Sequence, residues 1–124
     1  MILFLDFDGV LHPRAPGEAL FSNLPRLEAV LRDFAFLEVV ITSTWREDMS
    51  LEELRAKFSP DIQHRVIGTT PVIEIEFPAG PHGSREEEIH LFLEQENHHI
   101  RPWVALDDEE KLFRPRCPNL IQCQ

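Results

Sequence analysis

The sequence is short of cysteine, of positive charge and of long apolar runs. Its two cysteines, Cys117 and Cys123, are too few for a disulfide framework or a zinc site, and are typical of the reduced cytoplasm. It has 12 basic residues against 22 acidic ones, and its net charge of −10 argues against non-specific DNA binding. No apolar run approaches the length of a membrane span, and the apolar start runs into acidic residues, unlike a signal peptide. We therefore expect a cytoplasmic protein without membrane association.

The size and composition indicate an ordinary globular protein. The chain has 124 residues, of which 43% are hydrophobic, enough for one core. We expect a single domain over residues 1–124.

The first segment, MILFLDFDGV, places two aspartates directly after a strand pattern. Met1 to Leu5 read as a strand that is buried on both faces, as in the centre of a parallel sheet. Because residues i and i+2 of a strand face the same way, the carboxylates of Asp6 and Asp8 should crowd together and attract a hard cation. Gly9 then lets the chain turn sharply. The alternative is an ordinary turn, since aspartate and glycine are common at strand ends.

Strand and helix patterns alternate along the rest of the chain. Helices are expected over about residues 24–34, before Pro60 and from Ser84, and residues 71–83 favour an edge strand or an extended flap. Strands are expected at Met1 to Leu5, Phe36 to Ile41, His64 to Gly68, Pro102 to Leu106 and Asn119 to Cys123. This order predicts an α/β fold, a three-layer Rossmann-like sandwich with a mainly parallel sheet.

Three hydroxyl side chains follow the second predicted strand. Thr42, Ser43 and Thr44 can donate to a phosphate oxygen at a strand end that precedes a helix start. The alternative is helix capping, because Thr44 with Glu47, and Ser50 with Glu53, have the spacing of a capping box. Arg46 either binds an anion there or is solvated.

Further candidate residues lie in the loops and at a helix start. His12 can contact a substrate or can be structural. Arg85 lies in the first turn of a predicted helix, where a cation opposes the helix dipole, so it serves either a site or an ion pair with a glutamate. Asp107 and Asp108 repeat the acidic strand end of the first segment, although a solvated charge run has the same composition.

Parallel strands end at one edge of a sheet, which is where open α/β folds bind ligands. That edge should collect Asp6, Asp8, Thr42, Asp107 and Asp108, whereas Arg85 reaches it only if the preceding loop folds over the site. Carboxylates, a hydroxyl cluster and a cation at one edge favour metal-assisted phosphoryl transfer.

The chain resembles the haloacid dehalogenase (HAD) superfamily, whose four motifs occur in order. DFDGV resembles the nucleophile motif, ITS the Thr/Ser motif and LDD the acidic motif, while Arg85 stands where a Lys or Arg is expected. More narrowly, segments along nearly the whole chain resemble the small HAD domains of Swiss-army-knife RNA repair proteins. These segments are FLDFDGVLHP, ITSTWRE, FSP, RVIGTTP, REEEIH and WVALDDEE.

The resemblance implies a Mg2+-dependent phosphatase that forms an aspartyl-phosphate. Asp6 is then the nucleophile, and Asp8 protonates the leaving oxygen and later activates water. The implied Mg2+ ligands are an Asp6 oxygen, the Asp8 main-chain carbonyl, and Asp107 or Asp108.

The resemblance also implies roles for the remaining site residues. Thr42, with the Ser43 backbone N–H, holds a transferring oxygen, and Arg85 balances the developing charge. Arg46 and His12 are further substrate-binding candidates. No insertion supplies a large cap domain, so an open site admits a phosphorylated small molecule or a nucleic-acid end. The alternative is a catalytically silent HAD-like module for binding or assembly.

Overall fold

The computed structural model describes residues 1–14, 19–72, 84–95 and 101–123. Within these ranges the chain forms five strands and three α-helices. In chain order they are β1 (Ile2–Leu5), α1 (Leu24–Asp33), β2 (Glu38–Ile41), α2 (Leu51–Arg55), β3 (Val66–Thr69), α3 (Ser84–Gln95), β4 (Trp103–Asp107) and β5 (Leu120–Gln122).

The five strands form one parallel sheet in the order β3-β2-β1-β4-β5. The first strand is therefore central, as its continuous apolar sequence predicts. Leu5 pairs with Ile41 of β2 on one side and with Leu106 of β4 on the other. The residues that follow these three therefore lie side by side at the carboxyl edge of the sheet.

Alternate residues of the central strands face two different cores. Leu3 and Leu5 join Val39 and Ile41 in a core with α1 and α2, whereas Ile2 and Phe4 pack with α3. The helices thus cover both faces of the sheet, and the three-layer α/β sandwich that the sequence predicts is confirmed. No cap domain is inserted within the described ranges, and none of the helices described there is long and apolar enough to cross a membrane.

One capping prediction is confirmed and one is wrong. The Ser50 hydroxyl accepts from the Glu53 backbone N–H while the Glu53 carboxylate accepts from the Ser50 N–H, which is a complete capping box. The 3-10 turn after β2 is instead capped by Ser43, whose hydroxyl accepts from the Trp45 N–H. Thr44 is already the first residue of that turn, so it cannot also be its cap.

The strand predictions place each strand correctly but overestimate the lengths of the first, second, third and fifth strands. β2 begins two residues later than expected because Phe36 is exposed in the loop after α1. Of the predicted edge strand or flap at 71–83, only Pro71 and Val72 are described, and residues 73–83 lie outside the described residues. Within the described sheet, the edges are β3 and β5.

Candidate active site

Three neighbouring strands deliver the polar residues of the site. The backbone N–H of Asp6 donates to Leu106 at 3.1 Å, and that of Thr42 donates to Leu5 at 2.9 Å. These bonds continue the parallel ladders by one residue beyond β1 and β2. Asp6 therefore lies between Thr42 on one side and Asp107 on the other, and all three are almost completely buried.

Asp6, Asp107 and Asp108 form an acidic cluster. One carboxylate oxygen from each residue lies within 4.8 Å of the other two. The chain turns away from the cluster at Gly9, whose φ of +79° is open to glycine and strained for other residues. A Cβ atom at Gly9 would lie 2.1 Å from Asp108 Oδ2, so the turn and the carboxylate can approach each other only because the side chain is absent.

Two guanidinium groups contact this cluster. Arg85, at the start of α3, donates from Nη1 to Asp107 Oδ2 at 2.8 Å and lies 3.3 Å from Asp6 Oδ2. Its partner is thus in the acidic cluster, and the predicted ion pair with a glutamate is not its main contact. Arg14 forms a bidentate pair with Asp108 through Nε and Nη2, the latter at 3.0 Å from Oδ1. Arg14 also lies 3.1 Å from Glu109, and its side chain is 48% exposed.

Arg85 and Arg14 do not fully offset the cost of burying three charged carboxylates in this cluster. Burial raises the pKa of Asp6 from 3.8 to about 7; Arg85 opposes this shift, and the charges of Asp107 and Asp108 add to it. Burial likewise raises the pKa of Asp107 despite its contact with Arg85. Partial burial acts in the same direction on Asp108, but the hydrogen bond from Arg14 lowers the pKa of that carboxyl.

The cluster has the chemistry that suits Mg2+. Its donors are carboxylate oxygens, which are the hard ligands that this ion prefers. In addition, the buried Asp6 Oδ2 accepts no hydrogen bond from the described residues, although it lies 3.3 Å from Arg85 Nη1 and a buried carboxylate oxygen normally accepts one. The residues present therefore fit a divalent cation, and Asp6, Asp107 and Asp108 are the side chains that could hold it.

Asp8 does not belong to this cluster. Its carboxylate bonds to His12 Nε2 at 2.8 Å through Oδ1 and accepts from Trp45 Nε1 at 3.2 Å through Oδ2. The expectation that the carboxylates of Asp6 and Asp8 crowd into one volume is therefore wrong. Residues i and i+2 face the same way only within a strand, and β1 ends at Leu5. Asp8 lies beyond the strand, in the turn where it forms an isolated bridge with His12.

Asp8 lines an open groove together with residues of the 3-10 turn that follows β2. The groove has a volume of about 460 Å³ and is lined by Asp8, Thr44, Trp45, Glu47, Asp48 and Met49. It therefore combines one aromatic ring and one thioether with three carboxylates. A polyanion is disfavoured there, whereas a neutral or cationic group is not.

In the described contacts Arg46 has a structural role, and its expected role as an anion ligand is not supported. Its side chain is 3% exposed. The guanidinium donates to the carbonyls of Thr42, Ser43, Thr70 and Pro71, and it pairs with Glu88 at 2.9 Å. These contacts occupy all five N–H groups that an arginine has. Arg46 therefore joins the ends of β2 and β3 to α3.

His12 is also buried, with 3% exposure, so the structure does not support direct contact with a substrate. Thr42 and Ser43 lie at the end of β2 as expected, but the Ser43 hydroxyl is engaged as a cap. No role was predicted for Arg14, because the sequence pattern of a loop that contains prolines and a glycine does not fix the direction of a side chain. Trp45 packs against Phe7 and Phe21, and its indole N–H also donates to Asp8.

Comparison with known protein families agrees with this geometry. A family model described as the HAD domain in Swiss Army Knife RNA repair proteins matches residues 2–124. The chain belongs to this family. No curated protein and no solved structure was found to match it.

Membership of this HAD family confirms the resemblance that the motifs indicated. In this HAD domain the segments DFDGV, ITS and LDD follow or end β1, β2 and β4, which are adjacent in the sheet. Arg85 reaches the same edge from α3. The sheet thus brings together the parts that are far apart in the chain.

Proposed function

We propose that the protein is a Mg2+-dependent phosphomonoester hydrolase that acts through an aspartyl-phosphate. The observation that carries this proposal is the acidic cluster, in which one oxygen of the buried Asp6 carboxylate lies beside Asp107 and Asp108 and accepts no hydrogen bond within the described part of the chain. An attacking carboxylate beside a place for a divalent cation is the arrangement that phosphoryl transfer needs.

In the first step an oxygen of Asp6 attacks the phosphorus of the substrate. A P–O bond to Asp6 forms while the bond to the leaving alcohol breaks. When bound by Asp6, Asp107 or Asp108 and the main-chain carbonyl of Asp8, Mg2+ supplies positive charge that offsets the repulsion between a carboxylate and a phosphate dianion. Arg85 adds a fixed positive charge, which it holds at the cluster through Asp107 and Asp6.

Asp8 acts as the general acid and then as the general base. It gives its proton to the leaving oxygen in the first step and accepts one from the water that attacks the aspartyl-phosphate in the second. The second step releases phosphate and restores Asp6. The location of Asp8 on the wall of the groove supports this role, because a leaving group that lies in the groove is beside it.

Thr42 and Ser43 would hold a transferring oxygen at the end of β2. Their place beside Asp6 in the sheet supports this role. The hydroxyl of Ser43 already accepts from Trp45, so its expected contribution to a phosphate is the backbone N–H. Arg46 contributes by fixing the carbonyls of both residues instead of by binding the substrate.

We propose a nucleotide or an RNA end as the substrate. The family is described from RNA repair proteins, and the site lacks a cap domain within the described ranges. The groove beside Asp8 is open and carries Trp45, on which a base can stack. Its acidic rim and the net charge of −10 favour one terminal phosphate over a longer polyanion. A cytoplasmic location stays a prediction.

The test is a phosphatase screen of the purified protein with Mg2+. The panel contains an aryl phosphate, nucleotides, sugar phosphates and oligonucleotides with a 3′- or a 5′-phosphate. We expect release of inorganic phosphate that chelation and Asp6→Asn both abolish. Turnover that survives either change would contradict the proposal. Absence of turnover on the whole panel by a folded, Mg2+-binding protein would favour the catalytically silent module instead.

A further inference from the structure

The side chain of His12 is held between two specific partners. Its Nδ1 accepts from the backbone N–H of Phe21 at 3.2 Å, and its Nε2 lies 2.8 Å from Asp8 Oδ1. An imidazole nitrogen that accepts a hydrogen bond carries no hydrogen. The ring hydrogen must therefore be on Nε2, and His12 donates it to Asp8.

A second N–H group holds the other oxygen of the same carboxylate. Trp45 Nε1 donates to Asp8 Oδ2 at 3.2 Å. The two donors come from different parts of the chain, since His12 follows the Gly9 turn and Trp45 follows β2. With one donor on each oxygen, the carboxyl plane of Asp8 is fixed. Each oxygen keeps a second acceptor position, which can face a leaving group or a water.

Aromatic packing makes this pair of donors rigid. The rings of His12, Phe21 and Trp45 pack against one another with centroid distances of 5.3 to 5.8 Å. Phe7, which is completely buried, contacts both Phe21 and Trp45 from the core side. The positions of the two N–H donors are thus fixed by packing against the hydrophobic core and do not depend on flexible surface side chains.

The backbone of the turn has separate support, so the His12 side chain is not needed merely to close it. The Gly9 N–H donates to the His12 carbonyl at 2.8 Å, and the Leu11 N–H donates to Phe7 at 2.8 Å. Asn23 holds the turn from outside through its side chain on Val10 and its backbone N–H on Leu11. The backbone of the turn therefore does not depend on the contact from His12 Nε2 to Asp8 alone.

We propose that His12 and Trp45 are positioning residues that orient Asp8 for proton transfer. The proposal rests on the proposed function, in which Asp8 is the general acid and base. Neither residue contacts the reacting phosphate in this account. His12 fixes one carboxyl oxygen through a defined tautomer, and Trp45 fixes the other while it forms part of the groove that faces the leaving group.

Two substitutions of His12 separate its two hydrogen bonds. In His12→Gln, the amide nitrogen replaces Nε2 and can still donate to Asp8. In His12→Asn, the amide oxygen replaces Nδ1 and can still accept from Phe21, but the side chain is too short to reach Asp8. His64→Asn is the control, because His64 is exposed in the turn before β3. Thermal unfolding of each variant verifies that it folds.

The measurement is kcat/KM for phosphates with different leaving groups. This parameter covers the steps up to formation of the aspartyl-phosphate, so the later role of Asp8 as a base does not enter. We expect His12→Asn to lower kcat/KM for an alkyl phosphate by about 10- to 100-fold, and for dinitrophenyl phosphate by less than about 3-fold, because that leaving group needs no proton. His12→Gln should stay within about 5-fold of the wild type for both substrates.

An equal loss on both substrates, or an equal loss in His12→Gln and His12→Asn, would overturn the proposal, since a merely structural role predicts either result. Nitrogen-15 NMR provides a readout without turnover. The wild type should show hydrogen on Nε2 of His12, and hydrogen on Nδ1 would also overturn the proposal. A wild type that hydrolyses none of the phosphates contradicts the proposed function itself, whereas the NMR result still decides the hydrogen bonding.

Discussion

Asp6→Asn is expected to stabilise the metal-free protein at high pH although it removes the proposed nucleophile. The pKa of Asp6 is about 7 in the folded protein, against an ordinary value of 3.8, because burial disfavours its charged form. Between these two values the folded protein keeps a proton that the unfolded chain has released. The free energy of unfolding therefore falls as the pH rises from 3.8 to about 7, and above this range the folded protein bears the full cost of burying the charged Asp6.

The difference between the folded and the ordinary pKa of Asp6 sets the size of the effect on the free energy of unfolding. It corresponds to a ceiling of about 4 kcal/mol in the free energy of unfolding. Arg85 loses one anionic partner in Asp6→Asn but keeps Asp107, which reduces the gain. We therefore expect the variant to exceed the wild type by about 1 to 3 kcal/mol at pH 8, and by less than about 1 kcal/mol near pH 4.5.

The assay is urea unfolding in the presence of a chelator at both pH values. Asp33→Asn, at an exposed aspartate at the end of α1, is the control and should differ from the wild type by less than about 0.5 kcal/mol. Added Mg2+ should then stabilise the wild type more than Asp6→Asn, because an ion that binds only the folded state adds to its stability. A variant that is less stable than the wild type at pH 8 would refute this reasoning.

Two further predictions concern the residues around Asp108. Arg14 pairs with Asp108 at the place where a cation would bind, so Arg14→Ala should tighten Mg2+ binding by about 3- to 10-fold in calorimetry. The control is Arg26→Ala, at an exposed arginine, which should leave Mg2+ binding unchanged. Weaker Mg2+ binding by Arg14→Ala would contradict competition between Arg14 and the ion for Asp108. Gly9→Ala should cost about 1 to 3 kcal/mol in urea unfolding and weaken Mg2+ binding, because it strains a positive φ and displaces the Asp108 carboxylate. Gly68→Ala is its control, since the nearest atom to an added Cβ there is 3.4 Å away, and equal effects at both glycines would contradict the argument.

The framework of the site could be predicted from the sequence. Apolar segments that end in polar residues indicate parallel strands, and parallel strands end at one edge whatever their exact lengths. This rule placed Asp6, Thr42 and Asp107 together although they are distant in the chain, and the register of the sheet brings them side by side. The two-sided burial of the first strand likewise predicted its central position.

The directions of side chains beyond the strand ends could not be predicted in the same way. Within a strand the backbone period fixes the face of each residue, but in a turn the direction depends on contacts with distant parts of the chain. Asp8 turns to Trp45, and Arg46 reaches Glu88 on α3. Arg14 finds Asp108 across the edge of the sheet. No spacing in the sequence shows these partners.

The most direct test of the account is whether phosphate becomes attached to Asp6 during turnover. Asp8→Asn should slow the hydrolysis of the intermediate, because the variant lacks the general base, so an activated aryl phosphate and Mg2+ should load this variant. After an acid quench, mass spectrometry should find one added phosphoryl group on the peptide that contains Asp6, and hydroxylamine should remove it. Release of inorganic phosphate without this adduct, or a phosphoryl group on another residue, would contradict the account.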